Sequence, residues 1–490
     1  MKGGGSVGEE FRPDYYQLLE VSPFASQEEI ERAYKRLVKE YHPDVLRAFK
    51  TAFLFRQLQE AYEVLRDPER RRRYDDWLRA KGLYPERVFW ANVLLSQRAL
   101  RPLPEPQAWY VLFTIHAEKD HAITPKPLNL CLVIDTSTSM KGPKLESAVK
   151  ASELVLRNLK EENALALVTF NDRATVILPL SRRHDPRKAS SLLRKVKAEG
   201  GTEMSHGISS GLSELLKVRD LRESINYMIL LTDGQTYGDE EECIRLAREA
   251  GAKGISIAAF GLGTDWNEEL LEAVAQASGG VSSYIPHHKE LPRTFQERVR
   301  ALMGAVSTFK GRLEFGEGIN LKGFFRLDPQ VSRLAMEEGS FFLGPLSGSV
   351  RLLAELVVPP LPAGHYSALR WEFGDLKGEL SARGEVYLTI AEGVEGERIP
   401  KEILTAASQV AIFKLREKAW REIQRGERGK ASQRLLFLAK QLEKAGEKDL
   451  ALLAKEEAKF LPATGDLSAE GRKRLYYGTR LLALKPPEEE

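Results

Sequence analysis

Five oxygen-bearing side chains stand where a parallel sheet would gather them. Asp135 ends the apolar run Leu130 to Ile134, and Ser137 and Ser139 follow at alternate positions. Thr202 comes directly after Gly200-Gly201, and Asp233 lies in Thr232-Asp233-Gly234, behind the apolar run Tyr227 to Leu231. Two carboxylates and three hydroxyls, with no imidazole or thiolate, are hard donors that suit Mg²⁺ or Ca²⁺ and argue against zinc or copper. So few carboxylates leave a bound ion with open positions for a carboxylate from outside. Singly, each piece has a plainer meaning: Asp-x-Ser-x-Ser behind a strand caps a helix, and Gly-Gly-Thr and Thr-Asp-Gly are turns. Their order within one alternating region makes them a set.

A second constellation lies near the N-terminus. Ile30, Ala33, Tyr34, Leu37, Val38 and Tyr41 share an apolar helix face, while Arg32, Lys35, Arg36 and Lys39 recur at i, i+3, i+4 and i+7. Another helix carries Leu54, Leu58, Ala61, Tyr62 and Leu65, so the two pack antiparallel and leave His42-Pro43-Asp44 in the exposed connection. A basic stripe ending in a stiff proline turn suits docking on an acidic protein surface, because proline lowers the entropy of ordering the loop. The stripe alone is also what a solvated helix face looks like.

The elements that must position these groups follow from period and punctuation. Residues 11–82 are helical, with capping-box spacing at Asp14/Gln17 and Ser26/Glu29 and a proline start at Asp67-Pro68. Residues 83–106 read as a linker. From 126 to 305, apolar β runs alternate with helical segments, which predicts a doubly wound α/β domain with a parallel sheet. Segments 107–125 and 306–395 are β-rich with frequent Gly and Pro, as in a small antiparallel β-sandwich that recruits the strand at 109–115 across the intervening domain. From 396 to 484 the helical period returns, with Leu404, Ala407, Ala411 and Leu415 as one stripe and Leu435, Leu438 and Leu442 as another, suggesting a helical hairpin or bundle. Residues 1–10 and 485–490 read as disordered tails.

The N-terminal text, Asp14-Tyr15-Tyr16-Gln17-Leu18-Leu19, Tyr34-Lys35-Arg36-Leu37, His42-Pro43-Asp44, Ala61-Tyr62-Glu63-Val64-Leu65 and Arg72-Arg73-Tyr74-Asp75, closely resembles an all-α J domain of the DnaJ family. The resemblance implies a cochaperone that docks on a DnaK-type 70-kDa chaperone and stimulates its ATP hydrolysis through His42, Pro43 and Asp44, with Arg32, Lys35, Arg36 and Lys39 as the docking stripe. The loop Val45-Leu46-Arg47-Ala48-Phe49 is more apolar than the family's, and DnaJ's Gly/Phe-rich and zinc-binding regions are absent. The central text, Leu132 to Met140, Val168-Thr169-Phe170-Asn171, Gly200-Gly201-Thr202 and Leu230 to Gly234, resembles a von Willebrand factor type A domain with its metal-ion-dependent adhesion site. That resemblance implies Mg²⁺, with Ca²⁺ or Mn²⁺ as alternatives, held by Asp135, Ser137, Ser139, Thr202 and Asp233. Thr138 stands where the family usually has Gly.

The rest of the chain narrows the function. It has 490 residues, 42% hydrophobic and 29% charged, with 73 Lys+Arg against 70 Asp+Glu and a net charge of +3. That balance makes no electrostatic case for nucleic acid or a membrane surface. No apolar stretch approaches the roughly 18 residues of a spanning helix. Cys131 and Cys243 read as small buried hydrophobes, and the expected compartment is a reducing cytoplasm. No P-loop, nucleophile elbow or zinc-protease helix is present. His206 and the pair His287-His288 lack metal partners in sequence, and Trp420 lies on an apolar stripe. The expectation is a non-enzymatic adaptor joining a 70-kDa chaperone to a protein ligand that donates a carboxylate. The rivals are a scaffold subunit of an AAA-type ATPase and a Mg²⁺-dependent hydrolase.

Overall fold

The computed structural model describes residues 11–41, 52–84, 88–117, 126–183, 185–236, 238–394 and 399–482. Among the described residues, the chain opens with the helices α1 (Tyr15–Leu18), α2 (Gln27–Tyr41), α3 (Ala52–Leu65) and α4 (Pro68–Ala80). Ser26 and Glu29 form the expected reciprocal cap of α2: Glu29 N–H donates to Ser26 Oγ at 3.2 Å, and Ser26 N–H donates to the Glu29 carboxylate at 2.7 Å. Asp67 caps α4 by accepting from the Glu69 and Arg70 amides, both at 2.9 Å. Asp14 makes no such cap. Its carboxylate is taken by the Arg12 guanidinium at 2.8 and 3.1 Å, a charge-assisted pairing stronger than an amide cap. Helices α2 and α3 are joined by Tyr34 stacked on Tyr62 at 3.8 Å over buried Ile30, Leu37, Leu58 and Ala61.

Next come β1 (Phe89–Leu95), β2 (Ala99–Leu100) and β3 (Gln107–Ala117). The stretch 83–106 is therefore not simply a linker. β1 pairs antiparallel with β3 from Phe89↔Ala117 to Leu95↔Val111, and β2 adds to the opposite sheet. Phe89, stacked on Phe309 at 4.3 Å, anchors the strand. At the sheet edge, burial follows no clean alternation, so period alone did not reveal β1.

The α/β domain runs β4 (Leu128–Asp135), α5 (Pro143–Asn158), β5 (Ala164–Phe170), β6 (Ala174–Ser181), α6 (Pro186–Leu193), α7 (Met204–Leu215), β7 (Ile225–Thr232), α8 (Glu240–Ala252), β8 (Ile255–Leu262), α9 (Glu268–Ala277), β9 (Ser282–Ile285) and α10 (Leu291–Met303). Its sheet order is β6-β5-β4-β7-β8-β9. All pairs are parallel except β5–β6, so the expected parallel sheet is mixed, with one antiparallel edge. Every residue of β4, β5, β7 and β8 is buried, as expected for strands covered on both faces. Along β4, Leu128, Leu130, Leu132 and Ile134 face one helical layer, and Cys131 and Val133 face the other.

The chain then returns to the β-sandwich with β10 (Ser307–Phe315), β11 (Asn320–Arg326), β12 (Ser332–Arg333), β13 (Ser340–Leu346), β14 (Gly348–Val358), β15 (Gly364–Asp375) and β16 (Ser381–Ile390). The two sheets are β1-β3-β14-β11-β12 and β13-β10-β15-β16-β2. As expected, the early strand is recruited across the α/β domain: β3 pairs with β14 from Gln107↔Val358 to Ala117↔Gly348.

Four helices close the fold: α11 (Lys401–Gln424), α12 (Arg428–Lys444), α13 (Lys448–Thr464) and α14 (Ala469–Gly478). On α11 the expected stripe is rotated. Leu404 and Ala411 are exposed, whereas Ile403, Ala406, Val410 and Phe413 are buried against the outer face of the sandwich. The same helix sends Ile412, Ala419 and Trp420 into the core shared with the α/β domain, so two packing faces blur a single period. Among the described residues, no helix is long and apolar enough to cross a membrane.

Buried charges fasten these helices to the α/β domain. Arg480, just past α14, reaches Glu272 of α9 through both terminal guanidinium nitrogens, one at 2.6 Å, and its Nε donates to Val331 O at 2.9 Å. Lys473 and Arg472 both pair with Glu268. Removing one partner of a buried pair strands the other charge, which costs about 3–5 kcal/mol. Arg480→Met is therefore expected to destabilise the C-terminal helices by that order and to speed amide exchange in α14. A loss under about 1 kcal/mol in urea unfolding would show that the pair is not holding them.

Candidate metal centre and docking face

The carboxyl ends of β4 and β7 bring the five predicted oxygen donors together. Asp135 is 0% exposed at the end of β4. Its Oδ1 accepts the Ser137 N–H at 2.7 Å and its Oδ2 accepts the Thr232 hydroxyl at 2.6 Å. Both donors are neutral. Burial pushes this carboxyl up to about 6, against the pull of those hydrogen bonds, and the charge of Asp233 adds to the rise. A charged Asp135 is thus a buried anion calling for a cation.

The hydroxyls continue the cluster. Ser137 Oγ lies 2.9 Å from Ser139 Oγ, and the Ser139 hydroxyl donates to Asp233 Oδ1 at 2.7 Å. Asp233 is 1% exposed, and its other oxygen is paired with the Lys144 ammonium. Thr202 joins from the loop before α7. A methyl group on Gly234 would sit 3.4 Å from both Thr202 Oγ1 and Ser139 Oγ, so the missing side chain leaves space between these hydroxyls. The residues present fit a hard divalent ion such as Mg²⁺: two carboxylates and three hydroxyls converge, and space beside Gly234 stays open.

Residues outside the predicted set build the loops. Thr138 N–H and Oγ1 both donate to Gly200 O, at 3.1 and 2.9 Å. The side chain that replaces the family's glycine thus ties the Ser137–Ser139 turn to the loop carrying Thr202. Asn171 Nδ2 donates to Glu199 O at 2.9 Å, and Asp172 accepts the Gly201 N–H at 2.9 Å. Asn171, Thr138 and Thr232 lay within the motif text; nothing in the spacing flagged their hydrogen bonds, nor the reach of Lys144. His206 stays exposed beside Asp172 O and Glu203, and His288 meets Ser147 at 3.0 Å. Trp420, Cys131 and Cys243 are buried, and burial raises both thiols.

On α2, Arg32, Lys35, Arg36 and Lys39 are all exposed on one side of the helix. Lys35 pairs with Glu31 at 2.6 Å and Arg36 with Glu20 at 2.6 Å, while Arg32 Nε approaches Glu28 O at 3.4 Å. Glu20 also accepts Arg98, between β1 and β2, at 2.8 Å. Arg36 of the stripe is therefore tied to the contact with the sandwich, where Arg383 also donates to Gly82 O at 2.6 Å. His42, Pro43 and Asp44, and the apolar loop Val45–Phe49, lie outside the described residues.

Comparison with known proteins bears on both sites. Family models match a DnaJ domain at residues 14–75, a von Willebrand factor type A domain at 129–297, and a Sll0103-like C-terminal alpha-helical domain at 401–485. The uncharacterised protein sll0103 of Synechocystis is 30% identical over 207 residues, covering 42% of this chain and 49% of that protein. The chaperone protein DnaJ of Caldicellulosiruptor saccharolyticus is 54% identical over 67 residues, 14% of this chain and 17% of that one. The chain spans about half of the first relative's length and about a sixth of the second's. A solved von Willebrand factor type A protein from Catenulispora acidiphila shares the fold with a TM-score of 0.68 over 82% of this chain and 98% of that one, at 18% identity. The ArnB paralog VWA2 of Sulfolobus acidocaldarius does so at 0.50 over 80% and 98%, at 14% identity. The chain carries a J domain and a type A domain.

The Thr138 link is directly testable. Thr138→Val keeps the shape and deletes one hydroxyl hydrogen bond, so it is expected to cost about 1 kcal/mol in chemical denaturation of the type A domain. An unchanged midpoint would show that the hydroxyl does not hold the two loops.

Proposed function

From the presence of a J domain and a type A domain on one chain, we propose a non-enzymatic cochaperone adaptor. The J domain stimulates the ATPase of a DnaK-type 70-kDa chaperone through His42, Pro43 and Asp44, with Arg32, Lys35, Arg36 and Lys39 as its docking stripe. The type A module recruits a protein partner in the cytoplasm. Asp135, Ser137, Ser139, Thr202 and Asp233 would hold Mg²⁺. When bound, that ion supplies a Lewis-acidic position able to take a carboxylate from the partner. The observation that carries the reading is the convergence of two buried carboxylates and three hydroxyls in the same chain as a J domain.

The division of labour follows from the chemistry of the residues. Asp135 and Asp233 bring negative charge into a buried setting, and the hydroxyls contribute oxygens without adding more. The stripe on α2 supplies a cationic face that recognises an acidic surface by charge. Its Lys35–Glu31 pair is local and exposed, so a more acidic partner can outcompete it at little cost.

Two experiments test the two halves. His42→Gln is expected to reduce stimulation of the chaperone ATPase to background without loss of fold, whereas Asp135→Ala leaves stimulation intact and removes the proteins that an EDTA-sensitive pull-down recovers. Normal stimulation by His42→Gln, or loss of stimulation in a folded Asp135→Ala variant, would sink the adaptor as drawn. Chaperone binding should also weaken as salt rises, because exposed charges are screened over about 8 Å at physiological ionic strength. Glu at positions 35 and 36 (K35E/R36E) should flatten that salt dependence in a binding titration, and salt-independent binding by the parent would count against the stripe.

A further inference from the structure

Lys144 sits in an unexpected place for a cation. It occupies the first turn of α5, behind the turn made by Gly142 at φ +81° and Pro143 at the helix start. The N-terminus of a helix carries partial positive charge and favours anions, so a lysine there is locally unfavourable. Its compensation is Asp233: the Lys144 ammonium pairs with Oδ2 of that buried carboxylate, whose Oδ1 accepts the Ser139 hydroxyl. The lysine side chain is 33% exposed and the aspartate 0%, so the ammonium reaches inward from the rim toward the hydroxyl cluster. A residue that breaks a local rule and is compensated at a candidate site points to a role there.

We propose that Lys144 is a built-in counter-ion that competes with the divalent metal for Asp233 and so sets the site's metal affinity. This rests on the metal-dependent recruitment described above and deepens it. With the ammonium in place, Asp233 is neutralised without any metal, and loading must displace or tolerate a positive charge close to the incoming ion. Affinity for the metal alone is thereby held low. A carboxylate donated by a partner offsets that repulsion, so metal and partner load together, each tightening the other by the same factor.

The test is metal binding by the full chain, read as Mg²⁺ calorimetry and as Mn²⁺ paramagnetic resonance, for the parent, Lys144→Met, Lys144→Arg and Asp233→Asn. Lys144→Met keeps the aliphatic stem and removes the charge; it is expected to tighten Mn²⁺ by about tenfold or more, since unit charges a few ångströms apart at a protein surface couple by at least that much. Lys144→Arg should stay close to the parent, and Asp233→Asn should bind weakly whatever residue 144 is. A lysine that merely holds α5 in place would give the opposite sign, because its loss would loosen the site. Unchanged or weaker Mn²⁺ binding by Lys144→Met overturns the inference, with Lys144→Gln as a second variant should the first not fold. If no variant binds Mn²⁺ at millimolar concentration, the metal-dependent reading falls with it. If Lys144→Met tightens but no protein is recovered in a metal-sensitive manner, recruitment alone falls.

Discussion

The ladder between β3 and β14 is the interaction on which the molecule's organisation depends. It runs through eleven registered pairs between residues separated by more than two hundred positions, across the inserted α/β domain. Closing so long a loop is costly in entropy, although the cost grows only slowly with length. Burial on both faces offsets it. Trp109, Val111, Phe113 and Ile115 enter the sandwich core, while Leu112 and Tyr110 meet α11 on the outer face. A one-residue slip would exchange those two sets, so the register is held by packing as well as by hydrogen bonds.

Once the sandwich is closed, the other units have defined neighbours. β1 extends the sheet alongside β3, and residues in it and just past it carry the contacts to the helical N-terminal domain, with Phe24 against Trp90 at 5.5 Å and Arg98 on Glu20. At the other side, α11 lies on the sandwich and feeds side chains into the core beneath α7, α8 and α9. The pairs Glu272–Arg480 and Glu268–Lys473 then secure α14 against the α/β domain. Buried pairs of this kind add little net stability relative to apolar packing, but they tolerate few alternative arrangements.

The metal centre draws on the same rigidity. Asp135 and Thr232 end adjacent, wholly buried strands, and Asp233 follows directly, so backbone register sets where the carboxylates lie. The loop elements are softer and are stitched by hydrogen bonds: Thr138 to Gly200, Asn171 to Glu199, and Asp172 to Gly201. A buried anion supported by neutral donors on one side and a paired anion on the other is an electrostatically unequal arrangement. Lys144 accounts for the difference.

Much of this was determined by the sequence alone, because some signals are local. Continuous apolar runs between helices specify buried parallel strands, and Asp-x-Ser-x-Ser and Thr-Asp-Gly fall at their carboxyl ends whatever the neighbours do. Ser26/Glu29 and Asp67-Pro68 depend only on residues a turn away, and both caps formed. Tertiary structure decided what depends on distant partners. β1 is a strand because β3 lies beside it, and Asp14 is no cap because Arg12 competes for its carboxylate. The buried face of α11 is rotated because two different surfaces press on it. The link from Thr138 to Gly200 spans 62 positions and the reach of Lys144 to Asp233 spans 89, so neither leaves a periodic trace. Period and capping report the chain's near neighbours, whereas these contacts exist only after the sheet has brought separate loops to one edge.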